Sequence, residues 1–395
     1  MNVLPGATDL LRLFASSALT FGWLTLSLLA RQLAHLKLGA FALTLLVMPL
    51  LAGLQLVHWL CLILDEVFCR GYRQARVEAP VFVLGIPRSG TTLAHRVLAE
   101  APQFTTFTTW ECMLAPSVIQ RRILRWAGRV DRRLGGHVRR LLDGIIGRAA
   151  AGLDGIHPVA LDAPEEDYLG LLPVLGCFLQ VVPFPFSRRA WRLGRLDRDM
   201  PPAERRRLLR FYRSLVQRHL YAAPPGKRFL SKNAAFASWA GSLAETFPDA
   251  RFIACLREPL QVVPSQLSAL AGGCALFGHR ADDPVFVEQL MSTLEHGYHH
   301  LMDFAAERPG QAVVVTEPEL RERLAATFED AYRQLGLACS AGWQARLRQR
   351  GGAARRFRST HRPTPACFGL SAEDILRRFR SVYRRSDTPF GREAA

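Results

Sequence analysis

Val81-Phe82-Val83-Leu84-Gly85-Ile86-Pro87-Arg88-Ser89-Gly90-Thr91-Thr92 is the stretch on which the fold turns. Its four leading apolar residues predict a short buried strand that ends at Gly85, and Leu93 to Glu100 predicts the helix that follows. Between them lies a turn of glycine, proline and hydroxyl residues. Such a strand, turn and helix N-terminus is a place where backbone N–H groups bind phosphate. The turn departs from the Walker A pattern GxxxxGK[ST], because Thr91 stands where the lysine for the β- and γ-phosphates would be. That speaks against an ATPase or kinase. A 5'-phosphate without a γ-phosphate and its magnesium needs only a cradle and a hydroxyl or two, and PRSGTT supplies them.

Further along, Arg251 to Leu256 reads as a second strand after the Pro248-Asp249 turn, and it feeds Arg257-Glu258-Pro259. A third, Ala312 to Thr316, precedes a charged helix from Glu319 to Leu335 that stops at Gly336. Between the first two strands a long, mainly helical insertion, Met113 to Leu243, offers room for an acceptor pocket. Strands alternating with helices predict a three-layer α/β sandwich of the P-loop kind with a central parallel sheet, occupying residues 77–395.

Residues 1–76 have a different texture. Leu13 to Ala30, 18 residues between Arg12 and Arg31, contain no charge. Leu38 to Leu64, 27 residues between Lys37 and Asp65, exceed the ~20 that cross a hydrocarbon core. Pro49 inside that run is a kink that a membrane helix tolerates. A second, longer apolar run directly after the first does not fit a cleaved export signal, so the segment reads as a membrane-anchoring helical hairpin. One span, two spans, interfacial helices or a hairpin packed on the enzyme all fit this text. Arg70, Arg73 and Arg76 after the second run place the following domain on the cytoplasmic side of the membrane, against a contrary vote from Arg31 and Lys37.

A formal charge of +17, almost all from arginine, favours phosphate-rich partners: nucleotides, nucleic acid or anionic lipid. The arginines are scattered in short clusters such as Arg205-Arg206-Arg207, without a basic helix, zinc spacing or aromatic platform, so nucleic acid is not expected. Eight cysteines occur without a CxxC pair, which suits a reducing compartment and neither a disulfide framework nor zinc. His296, His299 and His300 stand at helical spacing, but no carboxylate–histidine motif accompanies them and no metal is expected. Oligomeric state is not legible.

Six blocks occur in order: GIPRSGTT (85–92); Trp110-Glu111; Asp162-Ala163-Pro164-Glu165-Glu166-Asp167; Lys232-Asn233-Ala234-Ala235-Phe236; FPDARFIACLREPLQVVPSQLSAL (247–270); and Phe368-Gly369-Leu370-Ser371. In these, roughly Pro80 to Arg385, the chain resembles sulfotransferases dependent on 3'-phosphoadenosine 5'-phosphosulfate (PAPS), in particular the bacterial branch similar to tyrosylprotein sulfotransferases. The resemblance implies that Arg88, Ser89, Gly90, Thr91 and Thr92 hold the 5'-phosphate. Arg257 and Ser265, eight residues apart, would bind the 3'-phosphate through a guanidinium fork and a hydroxyl. It also implies catalytic roles for Arg88, Glu111 and Lys232: Arg88 and Lys232 neutralise charge around the sulfonyl group, and Glu111 is the general base. His157 is a rival base. Phe236 stands where many bacterial relatives have a histidine, as in the tyrosylprotein branch.

The acidic segment could hold a cationic acceptor group or start a helix, and Arg355, Arg356 and Arg358 could close over the 3'-phosphate or form a solvated run. The expected reaction is sulfonyl transfer from PAPS to a hydroxyl, or an amine, of a membrane-associated lipid or glycoconjugate, with 3',5'-ADP leaving. Two other classes remain open at this point: a different P-loop phosphotransferase, and an inactive nucleotide-binding scaffold.

Overall fold

The computed structural model describes residues 6–151, 160–356 and 363–390. The chain opens with two long helices, α1 (Ala7–Ala34) and α2 (Leu38–Phe68). Next come β1 (Val81–Gly85), α3 (Thr91–Leu98), the two-residue β2 (Phe104–Thr105), α4 (Thr109–Leu114) and α5 (Val118–Arg133). The remaining strands are β3 (Arg228–Asn233), β4 (Arg251–Leu256) and β5 (Ala312–Thr316). Together they form one sheet in the order β2-β3-β1-β4-β5, with every neighbouring pair parallel.

A parallel sheet must be covered on both faces, and β1 accordingly is buried at every position. Its alternate side chains enter separate cores. Phe82 and Leu84 join Phe252, Ala254 and Leu256 beneath the helices Pro202–Ala222 and Pro284–Glu307. Val81 and Val83 join Ile253, Cys255 and Val313 against α3 and the helix Leu324–Gln334. This is the expected three-layer α/β sandwich. Phe82 sits between Phe252 and Phe247, with ring centroids 5.4 and 5.5 Å away; truncating such a buried ring costs about 3–5 kcal/mol.

The strands read from sequence at β1, β4 and β5 are present, and two more are added. β3, with sequence RFLSKN, lies inside the stretch expected to be helical, and β2 pairs with its start. The single charged helix expected from Glu319 is two, Glu317–Glu322 and Leu324–Gln334, broken at Arg323, whose φ of −128° leaves the helical region.

α1 and α2 form an antiparallel hairpin, tied by Gln32 Nε2 to Thr44 Oγ1 at 2.9 Å. Each is long and apolar enough to cross a membrane. The hairpin also packs on the enzyme, since Leu10, Leu13, Phe14 and Leu62 share a core with Phe211 and Leu171. At its base, the wholly buried Arg218 donates to Asp65 at 2.9 Å and to Glu66 at 2.7 Å. Asp65 also accepts from the backbone N–H groups of Val118 and Ile119, which start α5.

Candidate active site

The parallel sheet brings the C-terminal ends of β1, β3 and β4 to one edge, where open α/β sheets bind ligands. β1 delivers the loop. Gly85 has no room for a side chain, because a Cβ there would lie 2.6 Å from the Cys255 carbonyl oxygen and 2.7 Å from Thr91 Cγ2. Gly90 takes φ +87°, which glycine adopts freely, and so turns the chain into α3. The first amides of α3 have no intrahelical acceptor and face the loop end of the helix.

Arg88 holds φ +69°, a left-handed conformation that costs a non-glycine residue roughly 1–2 kcal/mol. Two contacts keep it there. Arg257, just past β4, donates from Nη1 to the Arg88 carbonyl at 3.1 Å, and Arg88 Nε donates to Ser265 Oγ at 3.0 Å. Burial, with Arg257 nearby, holds the Arg88 guanidinium below its ordinary pKa. Gln261 accepts from Arg257 Nε at 3.1 Å and Nη2 at 2.9 Å, and Tyr298 donates its hydroxyl to the Arg257 carbonyl. Arg88, Arg257 and Ser265, dispersed in sequence, therefore form one cluster. Ser89 Oγ is buried in the loop without a hydrogen-bond partner among the described residues.

β3 places Lys232 opposite Val83 and Asn233 opposite Leu84, so both side chains emerge where β1 enters the loop. Lys232 is buried and ion-paired with Glu166. The acidic segment is pinned beside α4 by Thr109 N–H to Ala163 O and Glu165 N–H to Phe107 O, at 3.1 and 3.0 Å. Its acids then diverge: Asp162 pairs with Arg139, Glu165 accepts from Thr109 Oγ1, Glu166 takes Lys232, and Asp167 accepts from Tyr212. Burial pushes the Asp167 carboxyl up to about 7, against the lowering effect of the Tyr212 hydrogen bond.

Glu111 has other company. It is the third residue of α4, and its Oε2 accepts from the Thr108 N–H that begins the helix, at 3.2 Å. Its charged partners are Arg125 at 3.3 Å and the fully buried Arg121 at 3.9 Å. His219 Nδ1 lies 3.6 Å from Glu111 and 3.1 Å from Arg121 Nη1, and its other nitrogen is 2.9 Å from Thr105 Oγ1. Burial and the two arginines hold His219 well below its ordinary pKa, so it is neutral: Nδ1 accepts from Arg121 and Nε2–H donates to Thr105. Among the described residues, neither Lys232 nor a loop residue is a hydrogen-bond or ion-pair partner of Glu111.

Phe236 stacks on Trp239 at 4.1 Å between centroids, which gives that position a core role. Ser371 caps the helix Ala372–Arg378. His157 and Arg358 lie outside the described residues. The His296 and His300 rings lie 5.6 Å apart between centroids, His300 also meets Asp197 and His299 meets Ser381, and no group of three possible metal ligands occurs among the described residues. The residue missed by sequence reasoning is Glu166. Its signal was the unexplained acidic run, but nothing in the text singles out which acid reaches a lysine 66 residues later.

The sulfotransferase family profile matches residues 80–341. Among solved structures, sulfotransferase STF1 from Mycobacterium tuberculosis H37Rv superposes with a TM-score of 0.62 at 20% identity, covering 94% of this chain and 98% of that one. Sulfotransferase STF9 from Mycobacterium avium gives a TM-score of 0.68 at 17% identity, covering 88% and 86%. These are likenesses of fold. No curated protein sequence matches the chain.

Proposed function

The chain belongs to the sulfotransferase family, and from that premise we propose that its donor is PAPS and its acceptor a hydroxyl, or less commonly an amine, on a lipid or glycoconjugate at the cytoplasmic surface of a membrane. The observation that carries the donor reading is the convergence of Arg88, Arg257 and Ser265 on a glycine-pinched loop, with Lys232 at the same sheet edge. The unpartnered Ser89 hydroxyl fits the same reading, because a buried hydroxyl without a partner costs free energy that a phosphate oxygen would recover.

Bound PAPS supplies an electrophilic sulfur and a stable leaving group, 3',5'-ADP. In this reading the loop amides, Ser89, Thr91 and Thr92 hold the 5'-phosphate, and Arg257 with Ser265 holds the 3'-phosphate. Arg88 and Lys232 balance the charge of the sulfonyl oxygens in a buried setting, where such charges act most strongly. We place the base on Glu166, which touches Lys232; Glu111, engaged by Arg121 and Arg125, then serves to hold α4 and α5 together. The hairpin supports a membrane acceptor, since it would keep the enzyme at the bilayer surface.

The test is incubation of the detergent-solubilised protein with sulfur-labelled PAPS and membrane lipid extract, with calorimetric titration of 3',5'-ADP and of ATP with magnesium alongside. Labelled lipid and selective 3',5'-ADP binding are expected. Preference for ATP with magnesium would sink the donor assignment, and label passing only to water-soluble acceptors would sink the membrane acceptor.

A further inference from the structure

We propose that the hairpin lies flat on a bilayer containing anionic lipid, with only its outer face immersed, and that it does not cross. This deepens the membrane reading above and rests on it.

A spanning hairpin carries its tip to the far side of the membrane. Here the tip is held by the enzyme: Lys37 donates to the Gly278 carbonyl, and Gln32 Nε2 donates to the Phe277 carbonyl at 3.0 Å. Midway, Leu24, Leu28 and Met48 pack with Phe184, and Arg31 stands over the Phe186 ring at 4.5 Å. Nearer the base, Trp59 Nε1 donates to the Pro173 carbonyl at 2.8 Å, and His58 contacts Met113 O at 3.2 Å and Gln120 at 2.9 Å. At the base itself, Asp65 and Glu66 are locked to Arg218. α2 has 31 residues, about 46 Å at 1.5 Å per residue, and is gripped along that length. STF1 leaves only 6% of this chain uncovered, less than the 28 residues of α1 or the 31 of α2, so the shared fold reaches into the hairpin.

The side chains sort in the sense opposite to that selected by water. Thr44, Gln55, His58, Asp65 and Glu66 of α2 face inward and are buried, while Leu45, Leu46, Leu50, Leu56, Val57 and Leu60 face outward and are half-exposed or more. On α1, Leu19, Trp23 and Leu26 are exposed at 77%, 65% and 67%. Of the 28 large apolar side chains exposed on the described surface, 14 belong to these two helices and a fifteenth, Leu36, to the turn between them. A face of that size with no charge on α2 from Leu38 to Leu64 matches hydrocarbon. Exposed Arg12, Arg31, Lys37 and Arg70 flank it, which suits acidic headgroups.

A second element supports the same plane. α5 contacts α2 and carries Ile119, Ile123, Trp126 and Val130 at helical spacing, with Ile123 and Trp126 exposed at 54% and 60%. Arg122, Arg125, Arg129 and Arg132 occupy its other sides. A basic helix with an outward tryptophan is the form taken by segments that rest in a headgroup layer.

The experiment uses the full-length protein reconstituted in sealed vesicles of phosphatidylcholine and phosphatidylglycerol, with 3',5'-ADP titrated against the same sample. Exposed Cys367 reports the side of the catalytic domain, and Lys37→Cys reports the tip. An impermeant maleimide should label both positions to the same extent before and after the vesicles are lysed. A tip labelled at least tenfold less than Cys367 until lysis would overturn the flat hairpin while leaving membrane attachment intact. In addition, Leu46→Glu with Leu50→Glu should weaken vesicle binding tenfold or more and leave 3',5'-ADP affinity within twofold. Vesicle binding unchanged by that pair, or wild-type protein that ignores vesicles and dimerises through this face, also overturns the proposal; normal 3',5'-ADP binding in that sample would show that the donor reading survives.

Discussion

Replacing Arg257 with alanine should weaken 3',5'-ADP binding by about 60- to 700-fold, through two contributions. The guanidinium would lose its charge-assisted contact with the 3'-phosphate, about 1.5–3 kcal/mol. It would also release the Arg88 carbonyl, which it now holds at 3.1 Å. Arg88 at φ +69° sits in a region that costs about 1–2 kcal/mol, so the freed loop relaxes and must be reordered on binding, adding roughly 1 kcal/mol. The sum is about 2.5–4 kcal/mol, at about 1.4 kcal/mol per tenfold. Ser265→Ala removes one neutral hydroxyl and should cost only about 2- to 12-fold. Because both residues act on Arg88, the double variant should fall short of additivity by about 0.5 kcal/mol or more. Calorimetric titration at one fixed salt concentration measures all four corners of the cycle. An Arg257→Ala protein with wild-type melting temperature and affinity within threefold refutes the clamp, and strict additivity refutes the coupling through Arg88.

Three other outcomes are expected. Glu166→Gln should lower PAPS turnover by about 10²–10⁴, whereas Glu111→Gln should lower thermal stability and leave turnover per folded molecule near wild type; loss of turnover in Glu111→Gln at unchanged stability would return the base to that residue. The Asp167 carboxyl, at about 7 in the fold and near 3.9 when unfolded, keeps its proton in the fold after the unfolded chain has released it. Its contribution is full below about pH 4 and is lost as pH rises through 7, on the order of 4 kcal/mol in all, so urea midpoints should decline over that window in wild type relative to Asp167→Asn; parallel curves would contradict this. Arg218→Met strands two buried carboxylates and should cost about 3–5 kcal/mol, read as a fall in melting temperature on the order of 10 °C. Adding Asp65→Asn and Glu66→Gln should restore most of the loss, and no restoration would mean that the arginine stabilises by packing alone.

The parts legible in sequence were those written in adjacent residues. Val81 to Thr92 carries strand, turn and helix start together, and β4 and β5 are apolar runs apart from Arg251 at the start of one and Thr316 at the end of the other. β3 escaped notice because Ser231, Lys232 and Asn233 do not read as a buried strand; its place between β1 and β2 makes it one, and the polar end is where the site lies. The cluster of Arg88, Arg257 and Ser265 was reachable through resemblance, but the link from Lys232 to Glu166 depends on how a loop crosses a sheet edge. In the hairpin, apolar content drowned a weaker signal. Gln55, His58, Asp65 and Glu66 recur at helical spacing, and such a stripe marks a helix with protein on one side.

The join between Asp65 and Arg218 sets a clock on synthesis. The two residues are 153 positions apart, and at 5–20 residues per second a ribosome needs roughly 8–30 s to travel from one to the other. Throughout that interval the nascent hairpin carries two acids whose counter-ion has not yet been made, on helices whose leucines already shun water. A lipid surface that accepts the leucines early would act as a scaffold for the remaining chain, and expression in a lipid-poor extract should divert the product to aggregates before the sheet is complete.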